Sequence, residues 1–64
     1  MRMVGFNSAE DSGEVVYVNA DQVMFVEAHP DRLGVVNINL VSGMVLVIGT
    51  PEDVAVKLAR GKSV

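Results

Sequence analysis

The stretch Val35–Ile48, VVNINLVSGMVLVI, is two apolar runs meeting at Ser42-Gly43, and no other feature constrains the chain as strongly. Val35, Val36, Ile38, Leu40 and Val41 are β-branched or bulky side chains that fit a pleated surface better than a helix. A two-residue turn at Ser42-Gly43 needs a residue tolerant of positive φ, which Gly43 would supply. That turn predicts Val41 opposite Met44, Leu40 opposite Val45, Asn39 opposite Leu46, Ile38 opposite Val47 and Asn37 opposite Ile48. Directly opposed residues share a face. One face would then carry Val36, Ile38, Leu40, Val45 and Val47, all apolar. The other would set Asn37, Asn39 and Val41 against Met44, Leu46 and Ile48.

The second face is the informative one. A sheet wetted there should be polar on both strands, yet Met44–Ile48 is apolar at every position, as in strands buried on both faces. A short chain has little material to cover that face. The expectation is that another copy of the chain, or a protein partner, covers it; the competing arrangement folds the N-terminal segment over it.

Size favours the first arrangement. Sixty-four residues suit one domain, and a domain this small buries only about 60% of its unfolded surface. Such folds gain stability from disulfides, a metal or oligomerisation. Cysteine is absent and there is one histidine, so neither a disulfide framework nor a zinc cluster is expected. Homo-oligomerisation remains, with no cofactor and no metal. Half the residues are hydrophobic and fourteen are valine, which excludes a disordered chain. The longest apolar run is five residues, far below a membrane span, and MRMVGFNSAE lacks the apolar core of a signal peptide. A cytoplasmic protein without membrane insertion is expected. The formal charge of −3 argues against a nucleic-acid binder, which usually carries a basic stripe.

In chain order, Met1–Phe6 suggests a first strand with Arg2, Val4 and Phe6 on one side. Residues 7–13 (NSAEDSG) read as a loop. Its acidic tip of Glu10, Asp11 and Glu14 lacks the regular oxygen spacing of a calcium loop. Glu14–Asn19 reads as a strand, Asn19–Gln22 as a turn, and Val23–Ala28 as a strand in which Val23 and Phe25 alternate with Met24 and Val26. In His29–Gly34, Pro30 and Gly34 break the ladder. His29-Pro30-Asp31 matches the signature of co-chaperone J domains, but that motif lies between long helices and strands flank it here. Thr50, Pro51, Glu52 and Asp53 together announce a helix over 51–60: a cap, a first-position proline and carboxylates at the positive end of the dipole. Val54 and Leu58, with Ala55 beside them, would face the sheet, leaving Val56 on the far side. The predicted fold is α+β, mainly β: an antiparallel meander of four to five strands (about 14–19, 23–28, 35–41 and 44–48) with one C-terminal helix on one face.

Four stretches carry a resemblance to a known family: Tyr17-Val18-Asn19-Ala20-Asp21-Gln22-Val23, Pro30-Asp31, Ile38-Asn39-Leu40-Val41-Ser42-Gly43 and Pro51-Glu52-Asp53-Val54. Over Gly13–Leu58 the chain resembles the small flagellar FlbD-like (swarming-motility) proteins, although its GFNSAEDSG segment is longer and more acidic than theirs. The resemblance implies a small non-catalytic bacterial protein that acts through association, and it brings no catalytic residue with it. Pro51-Glu52-Asp53-Val54-Ala55-Val56 is also similar to a segment of the carbon-storage-regulator proteins, strand-rich dimers that bind RNA through nearby basic residues; Lys57 and Arg60 would be the counterparts.

An enzyme is not expected. No serine–histidine–acid set, glycine-rich phosphate loop or H-E-x-x-H motif is present, and His29 with Asp31 has no nucleophile beside it. A protein-binding or self-associating sheet face would use Met24, Met44, Leu46 and Ile48, methionine suiting adaptable surfaces, with Val56 on the far side of the helix as a separate interface candidate. The alternative, an oligomeric RNA-binding regulator, would gather Arg2, Arg32, Lys57, Arg60 and Lys62.

Overall fold

The computed structural model describes residues 2–61. In order it holds β1 (Met3–Asn7), β2 (Val15–Asn19), a 3-10 turn (Ala20–Gln22), β3 (Val23–Ala28), β4 (Val35–Leu40), β5 (Gly43–Ile48) and α1 (Pro51–Ala59). The fold is α+β and mainly β, with all pairings antiparallel: β1 with β2 in one sheet, β3-β4-β5 in the other. The first strand therefore exists, shifted to end at Asn7, and the loop that follows begins one residue later than expected.

The two sheets meet edge to edge just beyond β1. Ser8 forms a bridge to Val47. Its N–H donates to Glu14 O at 2.9 Å, and the next residue, Ala9, donates to Leu46 O at 3.0 Å. Alternate backbone groups of this segment thus bond to Glu14, just before β2, on one side and to β5 on the other, as in a strand between two neighbours. This overturns the arrangement in which the N-terminal segment folds over the second face. The segment lies beside β5 and widens the sheet instead.

Period-two alternation then sorts the side chains. Val4, Phe6 and Val18 from the first sheet join Val36, Ile38 and Val47 from the second, with Val54 and Leu58 of α1, in one buried cluster. Val36, Ile38 and Val47 are fully buried. The helix covers this inner face because Val54 and Leu58 are four residues apart; Ala55, expected beside them, is exposed. The helix start follows its sequence signals. Thr50 Oγ1 accepts from Asp53 N at 3.2 Å, and Pro51 begins the first turn. Thr50→Ala should cost about 1 kcal/mol of stability in urea unfolding, while Thr50→Ser should restore most of it. At the other end, Gly61 packs so close to Val4 that a Cβ there would collide with the valine.

The hairpin turn differs from expectation. Ile38 faces Val45, Asn37 faces Leu46, Asn39 faces Met44 and Leu40 faces Gly43, so Val41 and Ser42 form the turn and Gly43 begins β5. Neither turn residue has positive φ, and neither does Gly43. Val41 is held out of the ladder by its N–H, which donates to Gln22 O at 3.0 Å. The slip is by two residues, an even number, so every side chain keeps its expected face. Gly34, by contrast, does adopt positive φ (78°) at the β3–β4 reversal, where a side chain would be strained.

The alternation of β3 also needs correction. Val23 pairs with Leu40 but Phe25 pairs with Asn39, so two residues of β3 answer one of β4. Met24 is the extra residue of a β-bulge, and beyond a bulge the faces exchange. Val23 and Val26 therefore both pack on the core, and Phe25 turns to the outer face.

Candidate interaction face

The face away from α1 is built mostly from side chains that a wetted sheet would not carry. On β4 it holds Val35, Asn37 and Asn39. Their cross-strand partners are Ile48, Leu46 and Met44 on β5, and Phe25 and Glu27 on β3 oppose Asn39 and Asn37. Tyr17 and Val15 of β2 continue it across the first sheet, where both side chains lie over Gly5. Large apolar groups stand open along it: Tyr17 is 66% exposed, Ile48 56%, Met44 54%, and Val15 and Phe25 each about half. One apolar residue exposed alone is ordinary, whereas several on one face make it a candidate interaction surface.

At the centre of this face the exposure pattern reverses. Asn37 is only 7% exposed, walled by neighbours on both flanking strands. Asn37 Oδ1 and Asn39 Nδ2 are buried without a hydrogen-bond partner. A buried amide end with no partner carries its full desolvation cost, about 1–3 kcal/mol. Toward the β1–β2 side the face runs into an open groove of about 850 Å³, bordered by Glu10, Asp11 and Glu14 and by Tyr17, Met44 and Leu46.

Of the expected interface residues, Met44, Leu46 and Ile48 share this face. Met24 lies at the β3 bulge. Val56 is half exposed on the side of α1 turned away from the sheet, so it belongs to the opposite surface of the molecule. Val15, Tyr17 and Phe25 were not among the expected candidates. The β2 alternation already separated Val15 and Tyr17 from Val16 and Val18, but no local signal told which face of the second sheet they would extend. Phe25 was hidden by the bulge.

Of the basic residues, Arg2, Lys57 and Arg60 lie around the last turn of α1, and Arg32 is in the loop after β3. Arg2 Nε pairs with Asp21 Oδ1 at 3.1 Å, and its Nη1 donates to Leu58 O at 3.4 Å. Arg32 Nη2 donates to Ala9 O at 3.0 Å. Lys57 Nζ donates to Gly5 O and sits 4.9 Å from the Phe6 ring centroid, within cation–π range. Arg60 caps the end of α1, and Lys62 lies outside the described residues. Arg2, Arg32 and Lys57 thus each bond to groups of their own chain.

The histidine is likewise used locally. His29 Nδ1 accepts from Asp31 N at 3.1 Å, closing the loop after β3. Among the described residues no three His, Asp or Glu side chains come together as a metal site, and no helix is long and apolar enough to cross a membrane.

No family model, curated protein or solved structure matches the chain. The geometry of the face therefore carries the functional reading.

Proposed function

We propose that this protein is a small non-catalytic interaction module of the cytoplasm, working by self-association through the outer face of its sheet. One observation carries the reading. Tyr17, Phe25, Met44 and Ile48 lie half or more exposed on a single face, while the chain's own helix is committed to the other. Covering that face would remove apolar surface worth about 25 cal/mol per Å² from water, in a domain whose size leaves little stability to spare.

Native mass spectrometry at gentle ionic strength should return a multimer of one mass. Leu46→Asp and Ile48→Asp should each weaken it by about thirtyfold or more, the effect of an interface hot spot of about 2 kcal/mol. Circular dichroism should show the monomer still folded, because neither side chain faces α1. Variants that keep wild-type mass and folding would overturn the reading. Extra peptide mass on a monomer would replace self-association with a protein partner, and extra oligonucleotide mass would favour the RNA-binding alternative through residues such as Arg60.

The resemblance to the flagellar proteins extends the proposal to a motility setting. Unchanged swarming in a strain lacking the gene would remove that setting and leave the association untouched.

A further inference from the structure

The first sheet ends on a strand that nothing borders. β2 pairs only with β1, so among the described residues its far edge has no neighbour. We infer that this edge pairs antiparallel with β2 of a second copy, about a two-fold axis at Tyr17, joining the sheets of the two copies into one. The contact is separate from the outer-face association proposed above and does not depend on it.

The bonds across β1–β2 show which backbone groups are free. Ala20 N–H donates to Arg2 O at 2.8 Å, and Ser8 N–H donates to Glu14 O at 2.9 Å. Bonded and non-bonded pairs alternate in an antiparallel ladder, so the bonded pairs between these two are Val4–Val18 and Phe6–Val16. The N–H and C=O of Val15 and Tyr17, and the N–H of Asn19, therefore point away from β1. The Asn19 carbonyl leads into the 3-10 turn. The side chains leave this edge clear, because those of Val15 and Tyr17 lean the other way, over Gly5 of β1.

Free N–H and C=O groups in strand register call for another strand, and two features select β2 itself. The first is that a free edge is usually guarded by charge, proline or a bulge. The other outermost strand, β3, has such guards: Met24 bulges from it, Glu27 lies on it and α1 packs against it. Residues 15–19, VVYVN, carry no charge, proline or bulge. The second is self-complementarity. A two-fold at Tyr17 overlaps all five residues, sets Val16 beside Val18 of the other copy twice, and brings the free groups of Tyr17 onto their own equivalents. Val15 O then accepts from Asn19 N–H, so the ladder gains four bonds. The flanking acids do not meet: Glu14 falls opposite Ala20, and Asp21, which holds Arg2, falls opposite Gly13. A β2–β3 contact between copies would meet the guarded edge, so the pairing closes at two.

The test is amide hydrogen exchange against protein concentration, on the full chain carrying Ile48→Asp so that the outer face does not contribute. Four backbone bonds make a smaller contact than that face, so the pairing is expected at higher concentration. The N–H groups of Val15, Tyr17 and Asn19 should slow about tenfold or more as concentration rises. Those of Val16 and Val18, bonded to β1 in the single chain, should be protected throughout. Tyr17→Pro should remove the effect, because it deletes an outward N–H and proline is tolerated on an edge strand; thermal melts check its folding. A second measurement spares the backbone. Tyr17→Lys and Tyr17→Glu should each pair about threefold more weakly than the parent, and an equal mixture should pair more tightly than either, since residue 17 faces its own copy.

Exchange at the three outward amides that stays fast at every concentration would overturn the edge pairing and leave the outer-face association standing. Protection already complete in dilute samples would overturn the second copy as the occupant, and the extra mass of a bound peptide would then identify a foreign strand. A Lys–Glu mixture no tighter than its components would overturn the two-fold at Tyr17.

Discussion

Ile38→Ala should leave little folded protein at room temperature. Ile38 has no exposed surface and lies on the central strand of its sheet, among Val36, Val47, Val54 and Leu58. Truncating a buried isoleucine to alanine costs about 2–5 kcal/mol, the upper part of that range where the site cannot collapse onto the void. Here the walls are strands paired on both sides and a capped helix, so collapse is restricted. A domain of this size possesses about 5 kcal/mol in total. The expected outcome is a broad, low-temperature melt and loss of amide protection throughout β3–β5. Ile38→Val removes one methylene and should cost about 0.5–1.5 kcal/mol, leaving a cooperative transition. Ile38→Ala behaving like Ile38→Val would mean that the core is less tightly packed than its burial indicates.

Phe6→Ala is the second large effect, and it asks a different question: whether the first hairpin belongs to the same core. Phe6 is 5% exposed and packs with Val4, Val18, Val54 and Leu58 in the one cluster. Its ring also lies under Lys57 Nζ, whose ammonium holds Gly5 O. Loss of the ring should cost about 3–5 kcal/mol, and β1–β2 should lose protection together with α1. Phe6→Leu keeps most of the buried volume and should retain the fold, with a smaller loss that includes the cation–π contact, about 0.5–1 kcal/mol at an exposed site. If Phe6→Ala left β3–β5 and α1 as stable as wild type, the first hairpin would be an appendage rather than part of the core.

The first prediction rests on a residue whose burial the amino-acid pattern already indicates, whereas the burial of Phe6 depends on where the first hairpin docks. Val36, Ile38 and Val47 fall on one face under any hairpin register that differs by an even number, so their place in the core survived an incorrectly expected turn. Thr50-Pro51-Glu52-Asp53 announced the helix for the same reason: a cap is chemistry between near neighbours and needs no knowledge of the rest of the fold. What the pattern could not convey is long-range. Val41 N–H can complete the ladder or bond to Gln22 O, and only the arrived position of the 3-10 turn decides. Met24 gives no local sign of being the extra residue in a bulge, so the turning of Phe25 to the outer face was out of reach.

The candidate site divides in the same way. Met44, Leu46 and Ile48 are legible as a face that wants covering. Tyr17 and Val15 join it only because Ser8 and Ala9 set the first sheet beside β5. The orphaned amides of Asn37 and Asn39 are visible only when the flanking strands are in place, since an exposed asparagine in a strand would be unremarked. Val56 stands apart from it on the far side of α1, as its helical spacing indicated.

The bonds from Lys57 to Gly5 and from Arg2 to Leu58 join residues more than fifty positions apart, and they set an order of events during synthesis. The β1–β2 hairpin can pair as soon as it leaves the ribosome, but the packing of Val4 and Phe6 is complete only when Val36, Ile38 and Val47, and last of all Val54 and Leu58, have emerged. For that interval the newborn chain presents both sides of its first sheet to the cell, and only the arrival of the last turn of the helix ends it. The completed molecule keeps one of those sides open, so the face proposed for association is the part of the nascent state that folding never closes.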